Sequence, residues 1–136
     1  LNYDRVYRLK RDFPHLEVII NGGIKDHADI QAHLSQLDGV MIGRAAYSNT
    51  YWFSDFDKTY FNDASPRPSR KDVLLEYFDY LSQQVERGVS LRFLVKPMLG
   101  VFQGQPGAKR WRVLLCEKSR SQGGLRDIEK ALSCLD

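Results

Sequence analysis

The sequence predicts an α/β segment followed by an all-α segment, and three observations carry that reading. Two short apolar runs, Leu16-Glu17-Val18-Ile19-Ile20 and Val40-Met41-Ile42, are ended by Asn21-Gly22-Gly23 and by Gly43-Arg44. A helical pattern lies between them, and short helix–strand alternation is the grammar of parallel α/β structure. Beyond residues 62–69 every apolar pattern has a helical period.

Taken in order, Val6, Tyr7 and Leu9 are spaced for a helix that Pro14 stops. The run 16–20 reads as a buried strand. Asp26 is the expected N-cap of a helix ending near Gln36, with Ile30 and Leu34 four apart on its apolar face. Asp38-Gly39 turns the chain into the second strand, 40–42. Residues 45–61 carry Tyr47, Tyr51, Trp52, Phe53, Phe56, Tyr60 and Phe61, which read as one or two short helices packing on the sheet. The stretch Asn62-Asp63-Ala64-Ser65-Pro66-Arg67-Pro68-Ser69 is a linker by composition. It divides an α/β part, 1–61, from a helical part, 70–136.

In the second part Ser69 caps a helix with the stripe Val73, Leu74, Tyr77, Phe78, Leu81 and Val85, and Gly88 ends it. Ser90 starts another, with Leu91, Leu94, Val95, Met98 and Leu99, which Pro97 must kink or break. Gly104-Gln105-Pro106-Gly107 is a turn before a helix carrying Trp111, Leu114 and Leu115. After Gly123-Gly124 a last helix carries Leu125, Ile128, Leu132 and Leu135. Four amphipathic helices with short loops predict a small antiparallel bundle.

Composition narrows the function. The two cysteines, Cys116 and Cys134, are too few for a disulfide framework, and neither they nor His15, His27 and His33 have metal-ligand spacing. A reducing compartment, the cytoplasm, follows, with no metal. No apolar run reaches the ~18–20 residues that span a membrane, and the charged start, Leu1 to Lys10, is unlike a signal peptide. The net charge of +3 is unevenly spread: residues 1–69 hold 8 Lys/Arg against 9 Asp/Glu, and 70–136 hold 12 against 8. Within 87–120 eight basic residues face Glu117 alone, a local excess that suits a polyanion or a solvated basic face.

A lone pair of parallel strands leaves edges and apolar faces bare, because such sheets are normally covered on both sides. More strands are therefore expected from elsewhere, and the absence of an initiating methionine at Leu1 points to a fragment.

Asn21-Gly22-Gly23 follows the first strand at its C-terminal end, where parallel α/β folds place ligands. Glycines there allow a sharp turn and a close approach of N–H groups to an anion, and the helix after Asp26 adds its positive end. Gly43-Arg44 repeats the arrangement, with a guanidinium that can fork onto phosphate oxygens. Asn21, Gly22, Gly23, Gly43 and Arg44 thus match the phosphate site after strands 7 and 8 of a (β/α)8 TIM barrel. These residues alone do not select flavin over a sugar phosphate, and tight turns would use the same glycines.

Four stretches resemble the tRNA-dihydrouridine synthases, the A subfamily in particular: Ile20-Asn21-Gly22-Gly23-Ile24; residues 37–47 from Leu37 through Gly43-Arg44 to Tyr47; Met98-Leu99-Gly100-Val101-Phe102-Gln103-Gly104-Gln105-Pro106-Gly107-Ala108; and Trp111-Arg112. The third is the specific one. The resemblance implies the last two βα units of an FMN-binding barrel and a C-terminal helical tRNA-binding domain. It further implies reduction of D-loop uridine to 5,6-dihydrouridine, NADPH as reductant and tRNA as partner. Such a protein acts as a monomer in the cytoplasm, or in an organelle if the source is eukaryotic. The FMN phosphate contacts would fall on Asn21, Gly22, Gly23, Gly43 and Arg44, and tRNA contacts on Lys109, Arg110, Arg112 and Lys96. The family's proton-donating cysteine would lie upstream of Leu1, leaving no catalytic residue here; Cys116 and Cys134 are expected as small core residues. Lys96-Pro97 and Thr50 depart from the family, which commonly has a basic residue and histidine at the first and proline at the second. Two other readings compete: a different phosphate-binding barrel, such as a dihydroorotate dehydrogenase or sugar-phosphate enzyme, which would lack the basic helical appendage, and a non-catalytic RNA-binding module.

Overall fold

The computed structural model describes residues 1–134, so the Leu135 expected on the last helix lies outside the described residues. The chain divides into two compact units, Leu1–Tyr47 and the chain from Ser48 onward.

In the first unit, α1 (Tyr3–Asp12) starts on Asn2, whose side-chain oxygen accepts from the Arg5 N–H at 3.2 Å. Strand β1 (Ile19–Asn21), helix α2 (His27–Leu34) and strand β2 (Gly39–Met41) then form a parallel crossover, with Ile19 opposite Gly39 and Asn21 opposite Met41. Pairing begins later than the apolar run 16–20 suggests. The Val18 N–H donates to the Asp38 carboxylate at 2.7 Å rather than to a strand carbonyl, and Leu16 stays exposed. Alternation along a strand sends neighbouring side chains to opposite faces. Val18 and Ile20 are buried with Leu37 against Tyr3, Val6, Tyr7 and Val40, while Ile19 is 58% and Met41 48% exposed. One face of the sheet is covered and the other is bare.

Helix α2 corrects one expectation. Ile30 is buried, but Leu34 is exposed and His33 takes the inner position. The imidazole is tolerated because its Nδ1 lies 2.7 Å from the Tyr7 hydroxyl and Tyr3 packs edge-on at 4.6 Å.

After α3 (Arg44–Ser48), the aromatic segment forms a 3-10 helix (Thr50–Asp55) and α4 (Phe56–Tyr60). Its expected packing on the sheet is corrected for Tyr51, which joins the core of the helical unit; Trp52, Phe53, Phe56 and Tyr60 stack on one another. The compact units therefore separate upstream of residues 62–69, which have no regular structure.

Helix α5 (Arg70–Glu86) starts with a reciprocal cap between Ser69 and Asp72. Pro97 does break the next helix: α6 (Leu91–Leu94) stops short, and a 3-10 helix (Lys96–Gly100) begins with the proline in its first turn, where its missing N–H costs nothing. Helices α7 (Ala108–Lys118) and α8 (Gly124–Ser133) complete the unit. Leu74, Leu81, Met98, Leu115, Ile128 and Leu132 are fully buried together, each contributing about 1.5–3 kcal/mol on removal from water.

Asp38 joins the parts of the first unit. Its carboxylate accepts from the Val18 N–H and pairs with Lys10 Nζ at 2.7 Å. The Lys10 hydrogen bond, then the Val18 N–H, hold its pKa below the ordinary carboxylate value. A carboxyl depressed in the folded state stabilises above its unfolded pKa of about 3.9 and loses that contribution as pH falls through the folded value. Asp38→Asn is therefore expected to lower the urea midpoint at neutral pH, with the gap from the parent protein closing below about pH 4. A gap constant down to pH 2 would contradict the pairing.

Candidate functional site

Because β1 and β2 run parallel, both strands end at the same edge of the sheet, with Asn21 paired to Met41. Gly22-Gly23 leaves one strand and Gly43-Arg44 follows the other, so the five residues picked from the sequence gather at one end. Their glycines are not equivalent. Gly22 and Gly23 have φ of +112° and +77°, and the Gly22 carbonyl accepts from the Tyr3 hydroxyl at 3.0 Å. A Cβ on Gly23 would meet the Tyr3 hydroxyl and come within 2.9 Å of a Leu1 methyl. The turn itself requires these two residues to be glycine. Gly43 has no left-handed φ, and a Cβ there would find only the Met41 sulfur, at 4.0 Å. Nothing in the fold of this unit requires glycine at 43, so the open space beside it is available to a ligand.

Arg44, the next residue, is exposed and has no hydrogen-bond or ion-pair partner among the described residues. Asn21 is exposed as well. The expected help from α2 is corrected. Asp26 caps that helix by accepting from the Asp29 N–H at 2.9 Å, and Asp29 accepts from the Lys25 N–H at 2.9 Å. Two carboxylates occupy the N-terminus and oppose an anion there. An anion at this edge is left to the glycine N–H groups and the Arg44 fork.

In the second unit, Lys109, Arg110 and Arg112 are exposed on α7 while Trp111 turns inward. The Trp111 Nε1–H donates to the Met98 carbonyl at 2.8 Å, and its ring meets Phe102 edge-on at 5.2 Å. Lys109 and Arg112, three apart, share one face. Arg112 donates to Gln103 Oε1 at 2.9 Å, and Lys96 lies 4.8 Å from the Phe93 ring centre. Lys118 is tied to Asp127 at 2.9 Å, which removes it from the basic surface.

The residues 98–108 divide by role. Met98, Gly100 and Val101 are buried, and a Cβ on Gly100 would lie 2.8 Å from the Ser48 carbonyl oxygen, so glycine permits a close backbone approach. Gln103 through Gly107 are exposed. Thr50 and Pro97, both singled out in the sequence, meet here: the Thr50 hydroxyl donates to the Pro97 carbonyl at 2.8 Å. Cys116 and Cys134 are both exposed, not core residues, because Leu115 and Leu132 take the inward positions beside them. Among the described residues no group of side chains could hold a metal, and no helix is long and apolar enough to cross a membrane.

The charge count over 87–120 passes over two further cations. Arg67 and Arg70 lie 4.4 and 4.0 Å from the centre of the Tyr51 ring, with Tyr51 donating to the Pro68 carbonyl at 2.7 Å. Their only sequence signal is their place on either side of the Pro68-Ser69 helix cap.

A family model described as dihydrouridine synthase matches residues 1–134, running through both units. The chain belongs to the dihydrouridine synthase family. Relatives named tRNA-dihydrouridine(20/20a) synthase include those of Pasteurella multocida, 46% identical, and Vibrio cholerae, 41% identical, each over 98% of this chain and 41% of the relative. That of Haemophilus ducreyi is 43% identical over 97% of the chain and 41% of its own length. The chain thus spans about two fifths of the length of the curated relatives it matches.

For this dihydrouridine synthase chain the contrast between the glycines is measurable. Gly23→Ala should cost about 1–2 kcal/mol in urea unfolding, the penalty of a left-handed alanine. Gly43→Ala should stay within about 0.5 kcal/mol of the parent, as a surface change without strain does. Equal losses at both positions would remove the distinction.

Proposed function

We infer that this chain is the C-terminal part of an FMN-dependent tRNA-dihydrouridine synthase of the A subfamily, which reduces D-loop uridine to 5,6-dihydrouridine with NADPH as reductant. The observation that carries the reading is the family match, which extends without a break through the sheet edge and the basic helical unit. A different phosphate-binding barrel would account for the first unit alone. The relatives' names give 20/20a as the position modified, the first choice for this protein too.

In this reading β1, α2 and β2 belong to the end of a (β/α)8 barrel, whose other strands cover the exposed Ile19 and Met41. The unit from Ser48 onward is the tRNA-gripping domain. The residues present fit an FMN phosphate: Gly22 and Gly23 offer N–H groups in a turn, Gly43 leaves room for close approach, Arg44 has no competing partner among the described residues, and Asn21 is accessible. When bound and reduced, FMN would supply a hydride to one carbon of the uracil double bond, the other carbon taking a proton from a separate acid. This chain's part is to anchor the phosphate end and so fix where the flavin lies. Lys109, Arg110, Arg112 and Lys96 hold tRNA phosphates and orient the substrate. The proton donor is assigned to neither Cys116 nor Cys134, which lie on or beside helices of the second unit. The enzyme works as a monomer in the cytoplasm, where tRNA is its partner.

Loss of the gene should abolish dihydrouridine at positions 20/20a, read by mass spectrometry of cellular tRNA; an unchanged modification pattern would overturn the assignment. In the full-length protein, Arg44→Ala and Gly43→Ala should each lower flavin occupancy several-fold, measured by absorbance after purification. Undiminished occupancy in both would count against the phosphate site. Lys109→Ala with Arg112→Ala should weaken tRNA binding and lower the slope of log affinity against log salt by about two, with flavin retained.

A further inference from the structure

Arg67 and Arg70 are both drawn to the Tyr51 ring, whose face attracts cations, but no acid is paired with either among the described residues. Arg67 donates Nε to the Ser54 hydroxyl at 2.6 Å and a terminal nitrogen to the Tyr51 carbonyl at 3.3 Å. Arg70 donates Nε to the Val101 carbonyl at 2.9 Å. These neutral acceptors and the shared ring fix both guanidiniums in place, yet neither has a carboxylate within ion-pair distance among the described residues. Two like charges held against one ring repel, and among the described residues only the ring, not a paired acid, offsets that cost. The nearest capping acid, Asp72, is engaged with Ser69. Holding the Arg70 Nε in a backbone bond leaves its two terminal nitrogens for something else, in a fixed plane.

That something else has a place to sit. Arg70, Tyr51, Lys71 and Gln105 line an open cleft walled by Phe102 and Pro106. Phe102 and Pro106 also wall a second cleft, which contains Arg110. The exposed turn 103–107 of the motif shared with the family therefore stands between two clefts, each with an arginine. A small anion needs one such cleft. Cations repeated on both sides of one ridge fit a chain with repeated negative charge.

We propose that Arg70, braced with Arg67 on Tyr51, binds a backbone phosphate of the tRNA in the cleft across the 103–107 turn from Arg110, so that the polynucleotide straddles this turn. The site rests on the reading of the protein as a tRNA-modifying enzyme and extends its RNA contact from α7 to the start of α5. It also gives the placement of Tyr51 a use: the ring presents the guanidinium already ordered, so less side-chain entropy is lost on binding.

The test uses the flavin-loaded full-length protein and transcribed substrate tRNA over a salt series. Arg70→Gln is expected to bind roughly three- to tenfold more weakly at low salt, with the salt slope reduced by about one. Because Arg70 also bonds the Val101 carbonyl, Gln105→Glu provides a variant with no role in the core. If the cleft serves only to stiffen the fold, a carboxylate facing Arg70 should leave tRNA affinity unchanged or raise the melting temperature. If it holds phosphate, affinity should fall by a similar factor while flavin absorbance stays the same. Gln83→Glu, exposed and about 20 Å further along α5 at 1.5 Å per residue, controls for net charge and should bind as the parent does. Parent-like affinity and slope in Gln105→Glu would overturn the site even if Arg70→Gln fails to fold. Parent protein that neither binds tRNA nor forms dihydrouridine would overturn the functional reading itself, together with this site.

Discussion

Parallel pairing of β1 with β2 is the constraint on which the first unit depends. Parallel neighbours cannot be joined by a tight turn, so the chain must return through a crossover, and α2 supplies it. The same geometry makes both strands finish at one edge. Gly22-Gly23 and Gly43-Arg44, some twenty residues apart in the chain, become neighbours for no other reason. The Asp38 carboxylate reinforces this by joining the start of the pairing to Lys10 at the end of α1.

In the second unit a comparable role falls to the indole of Trp111. It fills the core beside Met98 and Leu115, and its N–H satisfies the buried Met98 carbonyl. That carbonyl also accepts from the Val101 N–H at 3.3 Å, so without this bond it is the buried indole N–H that would go unpaired, at a cost of about 1–3 kcal/mol. Once Trp111 faces inward, helical geometry directs Lys109, Arg110 and Arg112 to solvent. Core packing therefore places the basic surface, and the residues 98–108 link the two: the apolar members are internal and the turn 103–107 is external.

Thr50 and Pro97 show how one polar contact ties two segments of the second unit together. Pro97 lacks an N–H but keeps its carbonyl, and Thr50 brings a hydroxyl that donates to it. The two meet in one hydrogen bond between the 3-10 helices. That contact joins the aromatic segment to the helical core.

The sequence by itself determined the order of the main elements, the caps at Asp26 and Ser69, a disturbance of the helix at Pro97 and the place of Trp111 among the apolar residues of α7. All of these are set by periodicity or by backbone chemistry within a few residues. It also marked the strand-end glycines, though not that Gly22 and Gly23 serve the turn while Gly43 does not. Tertiary structure decided the rest, because burial depends on what a side chain meets far along the chain. It placed His33 rather than Leu34 inside, through the Tyr7 hydroxyl. It left Cys116 and Cys134 at the surface, drew Tyr51 into the helical core, and set Arg67 and Arg70 on the same ring. No local pattern encodes the last of these, since cation stacking needs an aromatic side chain supplied from sixteen and nineteen residues away.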